Sequence, residues 1–238
     1  NHTNWVPMKN YRYDLYSMAD AINKYSKIIY LANPDNPTGT YFTIDEFDAF
    51  MSRVPERVLV LLDEAYFEYA QNVEDFPNSM HYRYDNVITL RTFSKAYGLA
   101  GFRVGYGFGH VDLIGNLLKV KLPFEPAIPA QSAAISALDD TEYLEAALSN
   151  NKVGMKQMTD VFDSLELQHI PSVTNFITLV FDNGENAKEF TQNMLKNGVI
   201  LRHLIGFGLP ECVRITIGTT DENKFFIEKL NNIMEKTV

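Results

Sequence analysis

Four short apolar runs mark the first half of the chain: Lys27-Ile-Ile-Tyr-Leu-Ala-Asn33, Arg57-Val-Leu-Val-Leu-Leu-Asp63, Asn86-Val-Ile-Thr-Leu-Arg91 and Phe102-Arg-Val-Gly-Tyr-Gly107. They alternate with helical or loop segments, the pattern required of a parallel sheet covered by helices. Between the first two runs, Thr43-Ile-Asp-Glu46 has the form of a capping box. Phe47, Phe50, Met51 and Val54 then follow at helical spacing. The prediction is strand, helix, strand.

Helical patterns dominate from His110 to Leu165, broken by Pro123, Pro126 and Pro129 and restarted by a cap at Thr141. A second, smaller α/β region follows. It holds a strand over 175–182, a helix over 185–197 stopped by Gly198, strands over 199–203 and 212–217, and a last helix from Thr220. The chain thus reads as a large domain over residues 1–140, a bridging helix over 141–165 and a small C-terminal α/β domain over 166–238. No internal repeat is visible.

Composition narrows the classes of function. With 238 residues, 46% hydrophobic and 21% charged, the chain can bury a sizeable core. A formal charge of −9 provides no basic field for nucleic acid or an anionic membrane, so any anionic ligand must be met by locally placed arginines. The single cysteine, Cys212, can form neither an internal disulfide nor a cysteine-based metal site, and no metal site is expected. A cytoplasmic setting is the natural reading. No apolar run approaches the roughly 20 residues that span a bilayer.

In open α/β sheets ligands sit beyond the carboxyl ends of the strands, so the polar residues that close each run carry the candidate chemistry. The first run closes in Asn33-Pro-Asp-Asn36-Pro-Thr-Gly-Thr40, the second in Asp63-Glu-Ala-Tyr66, the third in Arg91-Thr92-Phe-Ser94-Lys95. An amide, a carboxylate, a phenol and an amine would gather on one rim. Pyridoxal phosphate needs such a set: an amine for its aldehyde, an anion beside its pyridine nitrogen, and donors for its phenolic oxygen and phosphate. Lys95 can supply the amine and Asp63 the anion. Asn36 and Tyr66 can donate to the phenolic oxygen, and Thr92, Ser94 and Arg103 can hold the phosphate, the arginine through its bidentate fork. Taken singly, each residue has a plainer reading: a solvated lysine, a turn-forming aspartate, a proline-glycine turn. The glycines at 98, 101, 105, 107 and 109 match neither a dinucleotide fingerprint nor a P-loop.

Together, Asn33-Pro-Asp-Asn-Pro-Thr-Gly39, Asp63-Glu-Ala-Tyr66 and Ser94-Lys-Ala-Tyr-Gly-Leu-Ala-Gly-Phe-Arg103 resemble the consecutive signatures of fold-type I aminotransferases, and specifically the histidinol-phosphate aminotransferase family. The likeness continues through Arg202-His-Leu, Gly208-Leu-Pro and Arg214-Ile-Thr-Ile-Gly-Thr219. It implies a mainly parallel central sheet with flanking helices, a homodimer, and pyridoxal phosphate as cofactor. It also implies amino transfer from histidinol phosphate to 2-oxoglutarate, a small-molecule donor and a 2-oxo acid acceptor. By the resemblance Lys95 is the Schiff-base lysine and the base for the substrate α-proton, Arg214 binds the α-carboxylate, and Arg202 reaches the distal anion. Lys121-Leu-Pro-Phe-Glu125-Pro departs from the family's frequent Pro-Phe-Asn form, which bears on the substrate.

Family members carry an N-terminal arm, a glycine-containing phosphate loop and a ring-stacking aromatic ahead of the region where this chain starts. The 238 residues alone are therefore expected to bind the cofactor poorly; an intense yellow colour with a reducible Lys95 adduct would contradict that. The rival functions are an aromatic amino-acid aminotransferase, a threonine-phosphate decarboxylase-like enzyme, and an inactive fragment or pseudoenzyme acting through association.

Overall fold

The computed structural model describes residues 2–81 and 84–235, and its contacts divide the chain into two units. One runs up to Asp35 and resumes from Tyr41 to Glu145. The other comprises Asn36–Thr40 and continues from Ala146.

In the first unit, in chain order, stand α1 (Leu15–Asp20), β1 (Ile28–Ala32), α2 (Ile44–Met51), β2 (Leu59–Asp63), α3 (Phe67–Ala70), β3 (Val87–Thr92), β4 (Gly105–Gly109), α4 (Val111–Leu118), α5 (Ile128–Asp139) and the start of α6 (Thr141–Ser164). The predicted capping box forms at the start of α2: Thr43 Oγ1 accepts from the Glu46 N–H at 3.2 Å, and the Thr43 N–H donates to Glu46 Oε2 at 2.7 Å. The helix then buries Phe47, Phe50 and Met51 against Leu31, Val60 and Leu62 of the sheet. Burying each such side chain contributes roughly 1.5–3 kcal/mol. The strand order is β1-β2-β3-β4, with the first three parallel and Ala32 opposite Asp63. Their carboxyl ends therefore share one edge.

The fourth strand departs from the expected parallel pattern. It begins at Gly105, after a 3-10 turn over Ala100–Phe102, and runs antiparallel to β3. Residues 93–104 hold a loop and that turn instead of a crossover helix, so the chain returns beside β3 in the opposite sense. Gly105 permits the close approach, because a Cβ there would lie 2.7 Å from the Arg91 carbonyl oxygen.

Two boundaries in the helical stretch also shift. Pro129 stands in the first turn of α5, where a missing N–H breaks no intrahelical bond, so only Pro123 and Pro126 occupy the interruption. The cap of α6 comes from Asp140, whose Oδ1 accepts from the Tyr143 N–H at 3.0 Å; Thr141 is already helical.

The second unit contains the remainder of α6, then β5 (His169–Ile170), β6 (Phe176–Val180), α7 (Gly184–Lys196), β7 (Arg202–His203), β8 (Cys212–Thr216) and α8 (Thr220–Met234). The antiparallel sheet, in the order β5-β6-β8-β7, packs on Met158 and Phe162 of α6, Met194 of α7 and Leu230 of α8. The predicted strand over 199–203 contracts to two residues, and β5 was not predicted. Residues 36–40 belong here because Thr178 Oγ1 donates to the Pro37 carbonyl at 2.7 Å and the Val173 N–H donates to the Gly39 carbonyl at 2.9 Å. Gly39, at φ +79°, makes the turn, and a Cβ there would collide with Ser172.

Candidate functional site

In the first unit the candidate residues gather where β2 and β3 end. Asp63 closes β2, and both of its carboxylate oxygens are held: Oδ1 by the Ala65 N–H at 3.0 Å, Oδ2 by the Tyr30 hydroxyl at 2.7 Å. The chain then turns into α3 with Tyr66, buried, at the residue before the helix. Lys95 stands in the loop after β3. Its carbonyl accepts from the Gly98 N–H at 2.9 Å, and Phe93, buried against Tyr97 with ring centroids 5.0 Å apart, pins the loop base. The Lys95 amine is exposed, with Nζ 5.2 Å from the centroid of the Tyr66 ring.

Thr92 and Ser94 are joined, Thr92 Oγ1 accepting from the Ser94 N–H at 3.1 Å. Arg103 adopts a left-handed conformation, φ 54°, ψ 47°, and donates to the Ala100 carbonyl at 2.9 Å. The next residue, Val104, accepts from the Phe93 N–H at 3.2 Å. The loop therefore doubles back and brings the neighbour of Arg103 beside the neighbour of Ser94.

A buried charged layer that the sequence reading passed over lies next to these residues. Arg91 Nε donates to Glu64 Oε2 at 2.8 Å, and its guanidinium lies 3.4 Å from the centroid of the Phe67 ring. Burial raises the Glu64 pKa, and the Arg91 charge opposes the shift. Glu68, 4% exposed, has a buried Oε2 with no hydrogen-bond partner among the described residues. Burial pushes its pKa up to about 7. Tyr97 is shifted upward as well, by burial and then by the Glu68 charge. An arginine closing an apolar run, with two glutamates within five residues of Asp63, was the available signal.

The second unit holds the other three candidates. Arg202 and Arg214 face each other directly across β7 and β8, and Thr178 flanks Arg214 on β6. Arg214 donates to Asn36 Oδ1, and its guanidinium lies 4.8 Å from the Phe176 ring centroid. Arg202 is exposed, 5.8 Å from the Phe207 ring centroid. Like charges at directly opposed positions disfavour a strand pair by themselves. Glu125 is exposed, and its carbonyl accepts from Lys121.

A cavity of about 460 Å³ elsewhere in the first unit, lined by Phe47, Leu62, Tyr84 and Phe108 among others, includes none of the predicted site residues. Among the described residues no group of three or more histidine, cysteine, aspartate or glutamate side chains is arranged to hold a metal, and no helix is long and apolar enough to cross a membrane.

The sequence profile of aminotransferase class I and II matches residues 2–230. Histidinol-phosphate aminotransferase 1 of Nitrosococcus oceani is 44% identical over 97% of this chain and 62% of its own length. Histidinol-phosphate aminotransferase 2 of Carboxydothermus hydrogenoformans is 42% identical over 97% and 64% respectively. The chain thus spans a little over three fifths of the length of these relatives. Among solved structures, the histidinol-phosphate aminotransferase of Sinorhizobium meliloti, in complex with pyridoxal-5'-phosphate, superposes with a TM-score of 0.87 at 29% identity, over 94% of this chain and 62% of that one. An aspartate aminotransferase mutant of Thermus thermophilus shares the fold, with a TM-score of 0.81 at 20% identity over 96% and 65%.

Proposed function

The chain belongs to the aminotransferase class I and II family, and from that membership we propose that the protein is a pyridoxal-phosphate-dependent transaminase moving the amino group of histidinol phosphate to 2-oxoglutarate. The observation that carries this reading is the gathering of Asp63, Tyr66 and Lys95 at the ends of two adjacent parallel strands, with the amine over the phenol ring. The donor set fits the cofactor: an exposed amine, a carboxylate whose two oxygens are already oriented by donors, and hydroxyl side chains at 92 and 94, with Thr92 Oγ1 accepting from the Ser94 N–H. When bound, pyridoxal phosphate supplies a protonated pyridine ring that accepts the electrons released at the substrate α-carbon.

In this reading Asp63 keeps the pyridine nitrogen protonated, and Asn36 and Tyr66 donate to the phenolic oxygen. Thr92, Ser94 and Arg103 hold the phosphate. Lys95 would provide the amine that holds the aldehyde and, once the substrate amine has displaced it, its freed Nζ would take the proton from the substrate α-carbon. Arg214 binds an α-carboxylate. Arg202 binds the distal anion, whether the phosphate of histidinol phosphate or the side-chain carboxylate of glutamate, since a guanidinium grips both in a bidentate fork.

The reading includes a cytoplasmic homodimer. Leu118, Val120, Leu122, Phe124 and Ile128 are exposed apolar residues, which association would remove from water. The test, on the protein at its full natural length, is glutamate formation from 2-oxoglutarate with histidinol phosphate or phenylalanine as donor, and carbon dioxide release from threonine phosphate. Transfer confined to histidinol phosphate is expected; transfer from phenylalanine alone would move the assignment to aromatic amino acids.

A further inference from the structure

In β1, Leu31 turns into the core packed by α2, so Tyr30 and Ala32 project from the opposite face of the sheet. In the parallel register Ala32 stands opposite Asp63 and Tyr30 opposite Leu61, which puts the phenol and the carboxylate on one face as diagonal neighbours. The Tyr30 hydroxyl donates to Asp63 Oδ2 at 2.7 Å. With 52% of its surface exposed, Tyr30 is not required to fill the core.

We propose that Tyr30 is a positioning residue for the proposed cofactor site: its hydroxyl and the Ala65 N–H fix the plane of the Asp63 carboxylate so that it meets the pyridine nitrogen already aligned. The inference rests on the reading of Asp63 given above. A carboxylate held by one donor can rotate about its terminal torsion, whereas donors from two elements, the β1 strand and the turn after β2, leave one orientation. Burial raises the Tyr30 pKa, and the hydrogen bond and charge of Asp63 raise it further, with Tyr13 and Asp35 pressing the same way. Tyr30 therefore stays a protonated donor across the working pH range, acting on orientation and not as an acid or base.

The test is a double-mutant cycle with Y30F and D63N in the protein at its full natural length. Its readouts are the dissociation constant for pyridoxal phosphate, the absorption spectrum of the bound cofactor, and thermal unfolding of the cofactor-free protein, which guards against misfolding. Loss of a hydrogen bond to a charged group predicts roughly a tenfold weaker cofactor affinity for Y30F, with an altered bound-cofactor spectrum and an unchanged cofactor-free unfolding temperature. In the D63N background the added Y30F change is expected to have little effect, because the acceptor it serves has been altered. Cofactor affinity and spectrum in Y30F matching the wild type, while D63N weakens binding, would overturn this inference alone. An equal Y30F effect in both backgrounds would also overturn it, since the phenol would then act elsewhere. Failure of the wild type to bind, or of D63N to weaken binding, would overturn the reading of the site and this inference with it.

Discussion

The two units handle charge in opposite ways. In the first, the candidate groups are tied into the local structure: Asp63 is held through both oxygens, Thr92 caps the loop that carries Lys95, and the nearby Arg91 is buried against Glu64 and Phe67. In the second, two arginines oppose each other across a strand pair, one of them exposed. A site that must hold one resident group gains from orientation built in advance, whereas a site that exchanges different anions gains from positive charge kept near water.

Breaking each side of that comparison should have effects of different kind and size. Lys95→Ala removes both the amine and the proposed base, and amino transfer is expected to fall by roughly 10⁴-fold or more, measured as glutamate formation. Unfolding of the cofactor-free protein should be unchanged, because the side chain is exposed. Arg91→Ala leaves Glu64 buried and unpaired and is expected to cost about 3–5 kcal/mol of stability in denaturant unfolding.

Glu68 tests whether the first unit is indeed the one with stored electrostatic cost. Its folded pKa, about 7, lies above the ordinary carboxylate value, so the folded state holds the proton more tightly than the unfolded state does. The resulting stability is fully present below the unfolded pKa and is lost as pH rises through about 7. Between pH 5 and pH 8 the wild type should therefore lose roughly 3 kcal/mol that Glu68→Gln does not lose, read as the difference between their unfolding free energies. Parallel curves for the two proteins would remove Glu68 from the account.

In the second unit the losses should appear in substrate affinity. Arg214→Gln is expected to raise the KM for 2-oxoglutarate by roughly 10- to 100-fold, the worth of a hydrogen bond to a charged group, with little change in stability. Arg202→Gln should stabilise the β7 and β8 pairing by only a few tenths of a kcal/mol, by removing a like charge from the opposed position. Destabilisation by that substitution would mean that the arginine pair is part of the fold's support and not a receptor for an anion.

The α/β character, the capping box at Thr43, the strand end at Asp63 and the order of the site motifs were legible in the chain because they are local. A periodicity, a cap and a strand terminus each depend on residues a few positions apart. What the tertiary structure decided is long-range: the reversal of β4, the assignment of residues 36–40 to the second unit through Thr178 and Val173, and the burial of Glu64, Glu68 and Arg91 together. None of these follows from spacing, because each depends on which distant segment lies alongside. The same holds for Tyr30. In the sequence it is one more large residue in an apolar run, and only the register of β1 against β2 brings its hydroxyl to the carboxylate of Asp63.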